Sequence, residues 1–324
     1  MEGRLHQPSP FALPLMIFII IIHFITFPFT AVLNALVMLA VKLKPRLRAH
    51  KSNILLALLS STDFVVGVVI QPVFIAMVFL FVLDETSSAM SSLLFFTRAA
   101  TTYLIDVSLL HLALISGERY LAMKHSFAYT TLVTEARLLT ASAFAWLLPV
   151  VLKIPMALQL QILFVLLKNT FTGLSVTFIV FCHVTVYREI RRHEQQIAAQ
   201  QVTQEEREQF ENNKKALKLI SIILAVIMLC YIPGFVSRIV VLWYRSEMPL
   251  ETVHIWFFSG SSVALLSSLL NPIIYSIRMR QFRVAFIELM CRTVNIAEAE
   301  EFEMRVFGAP NAVVRLEEEQ QQER

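Results

Sequence analysis

The sequence predicts an all-α membrane protein, in which a bundle of seven transmembrane helices precedes a short amphipathic helix on the membrane surface. Of its 324 residues, 56% are hydrophobic and only 16% are charged, whereas roughly a quarter of a soluble domain is charged. Several apolar runs reach or exceed the ~20 residues that cross a bilayer. Basic residues gather in alternate connections between these runs, and seven helices is the count that fits this alternation.

The boundaries of the helices follow from charged or turn-rich breaks in the apolar runs. Helices one to four are predicted at residues 14–41, 53–82, 93–123 and 137–157. Helix five begins by residue 162 and continues beyond 187, helix six covers 216–244, and helix seven ends near 276. The chain therefore divides into an N-terminal segment (1–13), a transmembrane domain (14–276), and a surface helix with a tail (277–324).

Lysine and arginine residues set the predicted orientation of the chain in the membrane. Five of them follow helix one, at Lys42, Lys44, Arg46, Arg48 and Lys51. Further basic residues follow helices three, five and seven, whereas the opposite connections hold mostly acids. Because basic residues stay in the cytoplasm, we expect a plasma-membrane protein with an extracellular N-terminus and a cytoplasmic C-terminus.

The segment 279–290 has the pattern of a helix that lies on the inner leaflet. Phe282 and Phe286 share one face of this helix, while its basic residues point elsewhere. Cys291 follows directly, and a cysteine in this position is a candidate for acylation; the alternative is a plain buried thiol. Membrane lipids are the partners that this segment implies.

Several other classes of function lack support in the sequence. Only seven glycines occur, and they are scattered and form no phosphate-binding loop. We therefore expect no nucleotide enzyme, no organic cofactor and no nucleic-acid partner. A transporter is the alternative for a multi-spanning protein, but it predicts two related halves with interrupted helices, and the sequence shows no such repeat.

Two short motifs lie at the predicted cytoplasmic ends of helices. Glu118-Arg119-Tyr120 ends helix three, and Asn271-Pro272-Ile273-Ile274-Tyr275 ends helix seven. They resemble the D/E-R-Y and N-P-x-x-Y signatures of the rhodopsin-like (class A) G-protein-coupled receptors. Further positions match that family in the correct order, namely Asn34, Asp63, Trp146, Tyr187 and the run Cys230-Tyr231-Ile232-Pro233. The resemblance covers the chain from helix one to the surface helix.

The resemblance implies a receptor that binds an extracellular ligand and activates a heterotrimeric G protein. In such a receptor Glu118 would hold Arg119 while the protein is inactive. Outward movement of helix six would then release Arg119 toward the G protein. The alternative is an arginine at a helix end that merely extends toward the aqueous surface.

The resemblance also assigns roles to residues in helices five, six and seven. Tyr187 and Tyr275 would turn inward and stabilise the active state. Pro233 and Pro272 would kink their helices, because proline removes a backbone hydrogen bond. Such kinks supply hinges through which a ligand on the outer side moves the inner surface.

Asp63 lies near the middle of the membrane, where every ionisable residue is a functional candidate. In the family an aspartate at this position coordinates a sodium ion. The positions that match the other ligands are Ser108 and Asn271, with Ser267 and Ser268 nearby. Oxygen ligands suit a hard cation. The alternative is a neutral Asp63 in a network of hydrogen bonds.

Three departures from the family pattern favour one branch of it. Helix six has Tyr231 in place of the usual tryptophan, and helix five has Ile179 in place of the usual proline. Leu94 stands where most members place a cysteine at the outer end of helix three. These departures resemble the branch that contains the melanocortin, lysophospholipid, cannabinoid and adenosine receptors.

Four polar residues in the outer half are candidates for contacts with the ligand: Arg98, Thr101, Asp106 and Arg238. Aminergic members of the family carry an aspartate at the position of Thr101, so a typical biogenic-amine site is absent. Residues 251–277 contain no lysine for a retinal Schiff base. Asp106 either meets a cationic ligand or hydrogen-bonds to serine and threonine neighbours. Arg98 and Arg238 each either anchor a carboxylate or phosphate or extend toward the membrane surface.

Overall fold

The computed structural model describes residues 12–83, 88–199, 247–291 and 296–307, together with single positions and short runs between 229 and 244. Within these ranges the chain is almost entirely helical and contains no strand. Five of the described helices are long and apolar enough to cross a membrane. Most of the predicted helix six lies outside the described residues.

Most of the spanning helices extend a few residues beyond their predicted bounds. They are helix one (Ala12–Leu43), helix three (Ser88–Lys124), helix five (Gln161–Ala199) and helix seven (Leu250–Arg278). Helix two consists of three consecutive parts, Lys51–Val65, a π-helical segment Val66–Ile70, and Gln71–Val82. Helix seven thus ends two residues later than the predicted boundary at residue 276.

Helix four is shorter than predicted, because it spans Glu135–Val151 instead of 137–157. The chain turns at residues 152–153, and a separate helical turn, Ile154–Ala157, follows. Pro155 explains this break, since proline restricts the residue before it and lacks the N–H group that would continue the helix. Gln159 then adopts a left-handed backbone conformation, with a φ of 59°, just before helix five begins.

Helix one shows how the bundle places its polar and apolar residues. Phe18, Phe24 and Phe29 are exposed on its outer surface. His23 and Asn34 are fully buried against the other helices. This arrangement is the reverse of a soluble helix, and it is the one expected where lipid surrounds the bundle and polar groups must face its interior.

Two apolar clusters fill the interior of the bundle, one on each side of Asp63 in helix two. The cluster toward the cytoplasmic motifs includes Leu59, Leu112 and Tyr275. The other cluster includes Val66, and its largest fully buried side chains are Phe74, Phe258, Met16 and Met77. The polar layer around Asp63 therefore separates two well-packed apolar regions.

Gly67 brings helices one and two into close contact. A Cβ atom at this position would lie 2.7 Å from the backbone nitrogen of Ala31, which is closer than van der Waals contact allows. Gly67 lies in the π-helical segment, one turn before Pro72. A π-helical segment accommodates the backbone group that a proline leaves unpaired.

The predicted surface helix is present as Arg280–Met290. Its buried Phe282 packs against Tyr275 of helix seven, with ring centroids 6.0 Å apart. Glu288 accepts a hydrogen bond from Arg46 at 2.6 Å and also pairs with Lys44. These contacts fix the surface helix to the end of helix seven and to the connection after helix one. A further helix, Ile296–Phe307, is one that the sequence analysis did not predict.

Gly67→Ala should lower the thermal stability of the protein, because the new methyl group meets helix backbone that cannot move aside. We expect a loss of about 1–3 kcal/mol, the usual effect of overpacking, measured as a lower Tm in lipid nanodiscs. Gly173→Ala in helix five is the matched control, because its Cβ would have nothing within 4 Å. Alanine favours a helix more than glycine does, so equal losses of stability in both variants would contradict this packing.

Candidate functional site

The Glu118-Arg119 pair lies at the cytoplasmic end of helix three. Arg119 Nε is 3.1 Å from Glu118 Oε2. Among the described residues neither of these two atoms has a hydrogen-bond partner, so the contact is an attraction between charges and not an aligned hydrogen bond. Glu118 is buried, and a buried carboxylate requires compensation.

Tyr129 supplies a second contact to Glu118. It lies in a short loop helix, Ser126–Leu132, and its hydroxyl donates a hydrogen bond of 2.5 Å to Glu118 Oε1. Burial, and then the hydrogen bond to Glu118, raises the pKa of Tyr129, so the phenol stays protonated and acts as the donor. A tyrosine in a short loop carries no pattern that predicts its partner, so the sequence alone does not single out Tyr129.

The tyrosines of the predicted switch occupy different environments. Tyr275 is buried. Tyr120 packs toward helix five, with its ring 5.9 Å from that of Phe181. Tyr187 is 55% exposed, and its hydroxyl accepts hydrogen bonds from Arg191 at 2.7 and 3.0 Å. Arg191, four residues later on the same helix face, offers this nearby donor, and the inward position of Tyr187 in the active state stays a prediction.

A polar layer surrounds Asp63 in the middle of the bundle. Asn271 Nδ2 donates a hydrogen bond of 2.6 Å to Asp63 Oδ2, and Ser268 also contacts Asp63 through a side-chain hydrogen bond. Asn34 links helices one and seven by donating to the backbone oxygen of Ser268 at 3.1 Å. Pro272 is buried in helix seven immediately after Asn271.

The donors in this layer fit a sodium ion by their chemistry. Ser108 and Ser267 are buried like Asp63. Ser267 donates its proton to the backbone oxygen of Ala264, which leaves lone pairs on its hydroxyl oxygen. Asn271 Oδ1 is buried and has no hydrogen-bond partner among the described residues. A carboxylate with neutral oxygens around it is the type of site that a hard cation prefers.

Hydrogen bonds between polar side chains also join the helices at positions that the sequence analysis did not name. His23 Nε2 lies 2.8 Å from Ser262 Oγ, and His23 Nδ1 lies 3.2 Å from Gln71 Nε2. His111 Nε2 lies 2.8 Å from Ser142 Oγ. These contacts tie helix one to helices seven and two, and helix three to helix four, as polar side chains commonly do inside membranes.

Three of the four ligand-contact candidates, Arg98, Thr101 and Asp106, lie on helix three. Thr101 is buried, and its hydroxyl has no hydrogen-bond partner among the described residues. Arg98 is exposed, and its guanidinium lies over the ring of Phe257, 4.8 Å from the ring centroid. This cation–π contact adds Phe257 as a neighbour of Arg98, and both expected roles of Arg98 stay predictions.

The predicted site residues of helix six are only partly described. Arg238 and Tyr231 lie outside the described residues. Pro233 lies in the short helical run 232–234. A Cβ at Gly234 would be 3.3 Å from the backbone oxygen of Gly260, so helix six closely approaches helix seven at this point.

Asp106 forms an ion pair with Lys168 of helix five, and both side chains are buried. The partner of Asp106 is therefore a lysine and not a serine or threonine neighbour, whereas its contact with a cationic ligand stays a prediction. Lys168 is absent from the predicted candidates. A lysine inside the apolar run of helix five is itself a signal of function or pairing.

The family of this chain follows from its sequence as a whole. The family described as "7 transmembrane receptor (rhodopsin family)" matches residues 33–165 and 158–275, which is more than half of the chain. The chain belongs to this family of seven-transmembrane receptors. The seven-helix membrane bundle and the resemblance to rhodopsin-like receptors are thus confirmed, and the members of this family are receptors, not enzymes or transporters.

Individual relatives agree with this assignment. The alpha-1A adrenergic receptor of Bos taurus is 25% identical over 229 residues, which cover 55% of this chain and 48% of that receptor. The human alpha-1A adrenergic receptor is 26% identical over 240 residues, or 57% and 51%. The 5-hydroxytryptamine receptor 1D of Canis lupus familiaris is 34% identical over 94 residues, or 29% and 24%. The chain spans about half the length of the adrenergic receptors it matches, and its branch within the family stays a prediction.

Sodium should stabilise the wild-type protein and leave Asp63→Asn unaffected, because a ligand that binds the folded state raises its stability. The measurement is the Tm of the purified protein in increasing NaCl, with KCl at equal ionic strength as the reference. Ser142→Ala, which alters a buried serine in helix four, should lower the Tm and keep the response to sodium. A wild-type Tm that responds equally to both salts would contradict the sodium site.

Proposed function

We propose that this protein is a plasma-membrane receptor that binds an extracellular ligand and activates a heterotrimeric G protein by outward movement of helix six. The observation that carries the proposal is the restrained Arg119 at the end of helix three. Glu118 holds the guanidinium by charge, and Tyr129 holds Glu118 by a hydrogen bond. Such a cluster describes an inactive state whose release frees Arg119 for a partner.

A second observation at the same end of the bundle supports a protein partner. Phe127, two residues before Tyr129, is 98% exposed. Aromatic residues are enriched at protein–protein interfaces, and a fully exposed phenylalanine on the loop helix is suited to insertion into a partner. The G protein would therefore contact the loop that also carries the restraint on Glu118.

The distribution of charge supports a cytoplasmic location for this end. Lys44, Arg46 and Arg48 lie in the connection after helix one, which is joined to the base of the bundle by pairs with Glu288 and Glu135. Basic residues near the ends of transmembrane helices stay in the cytoplasm. The C-terminus is then cytoplasmic and the N-terminus extracellular. The exposed Cys291 lies at the end of the surface helix, where acylation would place its chain in the inner leaflet.

The ligand belongs to a class other than the amines for which the relatives are named. The adrenergic and 5-hydroxytryptamine receptors are named for cationic amines, and a cation requires a free carboxylate in the outer half. Thr101 stands at the position where aminergic receptors carry an aspartate. Asp106 is already neutralised by Lys168, so an amine would have to displace a buried lysine.

Tyr129→Phe should raise G-protein activation in the absence of ligand. A hydrogen bond to a charged group contributes about 1.5–3 kcal/mol, and a loss of 1.4 kcal/mol from the inactive state shifts the ratio of active to inactive receptor about tenfold. Adding Arg119→Ala to this variant should abolish the signal, because Arg119 is the group that the active state presents. The measurement is dissociation of G-protein subunits in cells, with a panel of G-protein sensors, at equal surface expression.

Lys124→Ala is the matched control for the loss of a cation, since it removes an exposed charge from the same end of helix three. It should leave the signal of Tyr129→Phe unchanged. An Arg119→Ala, Tyr129→Phe double variant that signals as strongly as Tyr129→Phe would overturn the proposal. A Tyr129→Phe variant whose ligand-free signal equals that of cells without receptor, with every sensor, would also overturn the proposal.

A further inference from the structure

Charge joins helices three and five in the outer half of the bundle. Asp106 of helix three pairs with Lys168 of helix five, and both side chains are buried. Separating the members of a buried ion pair is strongly unfavourable, because each charge loses its ion-pair partner in a medium of low dielectric constant. The pair therefore fixes the outer part of helix five against helix three.

In the inner half the same two helices meet mainly through apolar side chains. The rings of Tyr120 and Phe181 lie 5.9 Å apart, and Tyr120 also packs against the buried Val186. A polar contact between Ser116 Oγ and His183 Nε2 spans 3.5 Å, which is too long for a strong hydrogen bond. Because lipid chains are as apolar as these side chains, the inner contact restrains helix five less than the ion pair does.

Helix five connects the two levels without a break, since it is continuous over Gln161–Ala199 and contains no proline. Lys168 precedes Phe181 by 13 residues, or about 20 Å at 1.5 Å per residue. On helix three, Asp106 precedes Tyr120 by 14 residues, or about 21 Å. The nearly equal spacings indicate that the two helices run side by side from the ion pair to the inner contact.

The inner contact adjoins the restrained arginine of the E-R-Y motif. Tyr120 directly follows Arg119, whose Nε lies 3.1 Å from Glu118 Oε2. Tyr129 in turn donates a hydrogen bond to Glu118. The ion pair between helices three and five is therefore closed in the same conformation in which Arg119 is held.

We propose that the Asp106–Lys168 pair is a lock between helices three and five that stabilises the inactive receptor. When the pair opens, the outer part of helix five moves relative to helix three, the packing around Tyr120 rearranges, and Arg119 is released more readily. The proposal rests on the receptor function proposed above and names an interaction that regulates it. A ligand that favours the open pair would shift the receptor toward its active state.

The double variant Asp106→Leu, Lys168→Met separates regulation from folding. Both charges are removed together, so neither is left buried without its ion-pair partner, and such apolar replacements are often neutral for stability. The Tm in lipid nanodiscs checks that the variant folds. At equal surface expression, ligand-free G-protein activation should rise at least about fivefold, the lower end of the usual coupling between distant sites. Adding Arg119→Ala should abolish the rise.

Ser142→Ala is the matched control for a lost contact between buried helices. It removes the 2.8 Å contact of Ser142 Oγ with His111 Nε2, which joins helix four to helix three. Ligand-free activation in this variant should stay at the wild-type level. An equal rise in Ser142→Ala and in the double variant would show that any loosening of helix three activates the receptor, and would overturn the proposal.

A second measurement needs no G protein. Spin labels on cysteines introduced by Lys124→Cys and Arg188→Cys, at exposed positions near the inner ends of helices three and five, report the distance between these ends in nanodiscs. The exposed Cys291 is changed by Cys291→Ser to avoid a third label. We expect the double variant to populate a second distance that neither the wild type nor Ser142→Ala shows.

A distance distribution in the double variant identical to that of the wild type would overturn the lock. Unchanged ligand-free activation in the double variant, measured with sensors to which Tyr129→Phe responds, would overturn it as well. A second distance in the double variant, with no G-protein activation by any variant, would support the lock between the helices and contradict the function proposed for the whole protein.

Discussion

The cost of burying charge inside a membrane is the constraint on which this structure depends. An ionisable side chain in the bundle interior is stable only with a partner that compensates it. Asp63 has Asn271, Asp106 has Lys168, and Glu118 has both Arg119 and Tyr129. The residues proposed to carry function are therefore also residues that hold helices together.

Helix three connects the outer and inner parts of this arrangement. It is continuous over Ser88–Lys124 and carries one compensated carboxylate toward each end. The outer one is tied to helix five, and the inner one is tied to the loop helix that carries Tyr129. A ligand that binds more tightly when the outer pair is loosened would shift the population toward that state. The helix between the two pairs is continuous and carries Arg119 near its inner end.

The helical membrane bundle and the motifs could be predicted from the sequence because they depend on local pattern. Apolar runs locate the helices, and the positions of Glu118 and Asn271 at helix ends identify the family. Partners that come from another segment could be predicted only where the family resemblance supplied them, as for Asp63 and Asn271. Lys168 is visible as a lysine in an apolar helix, but only the packing shows that it faces Asp106. The outward position of Tyr187 depends on a choice between alternative side-chain contacts, which the sequence pattern does not determine.

Buried charges on helix three are stabilised by partners within the bundle. A double-mutant cycle at the outer pair tests this stabilisation most directly, using Asp106→Asn, Lys168→Gln and the two combined, with the free energy of unfolding measured in lipid nanodiscs. Each single variant should lose about 3–5 kcal/mol, because it removes the ion-pair partner of a buried charge, whereas the double variant should lie close to the wild type. A double variant whose loss equals the sum of the two single losses would show that the side chains are independent and would contradict the account.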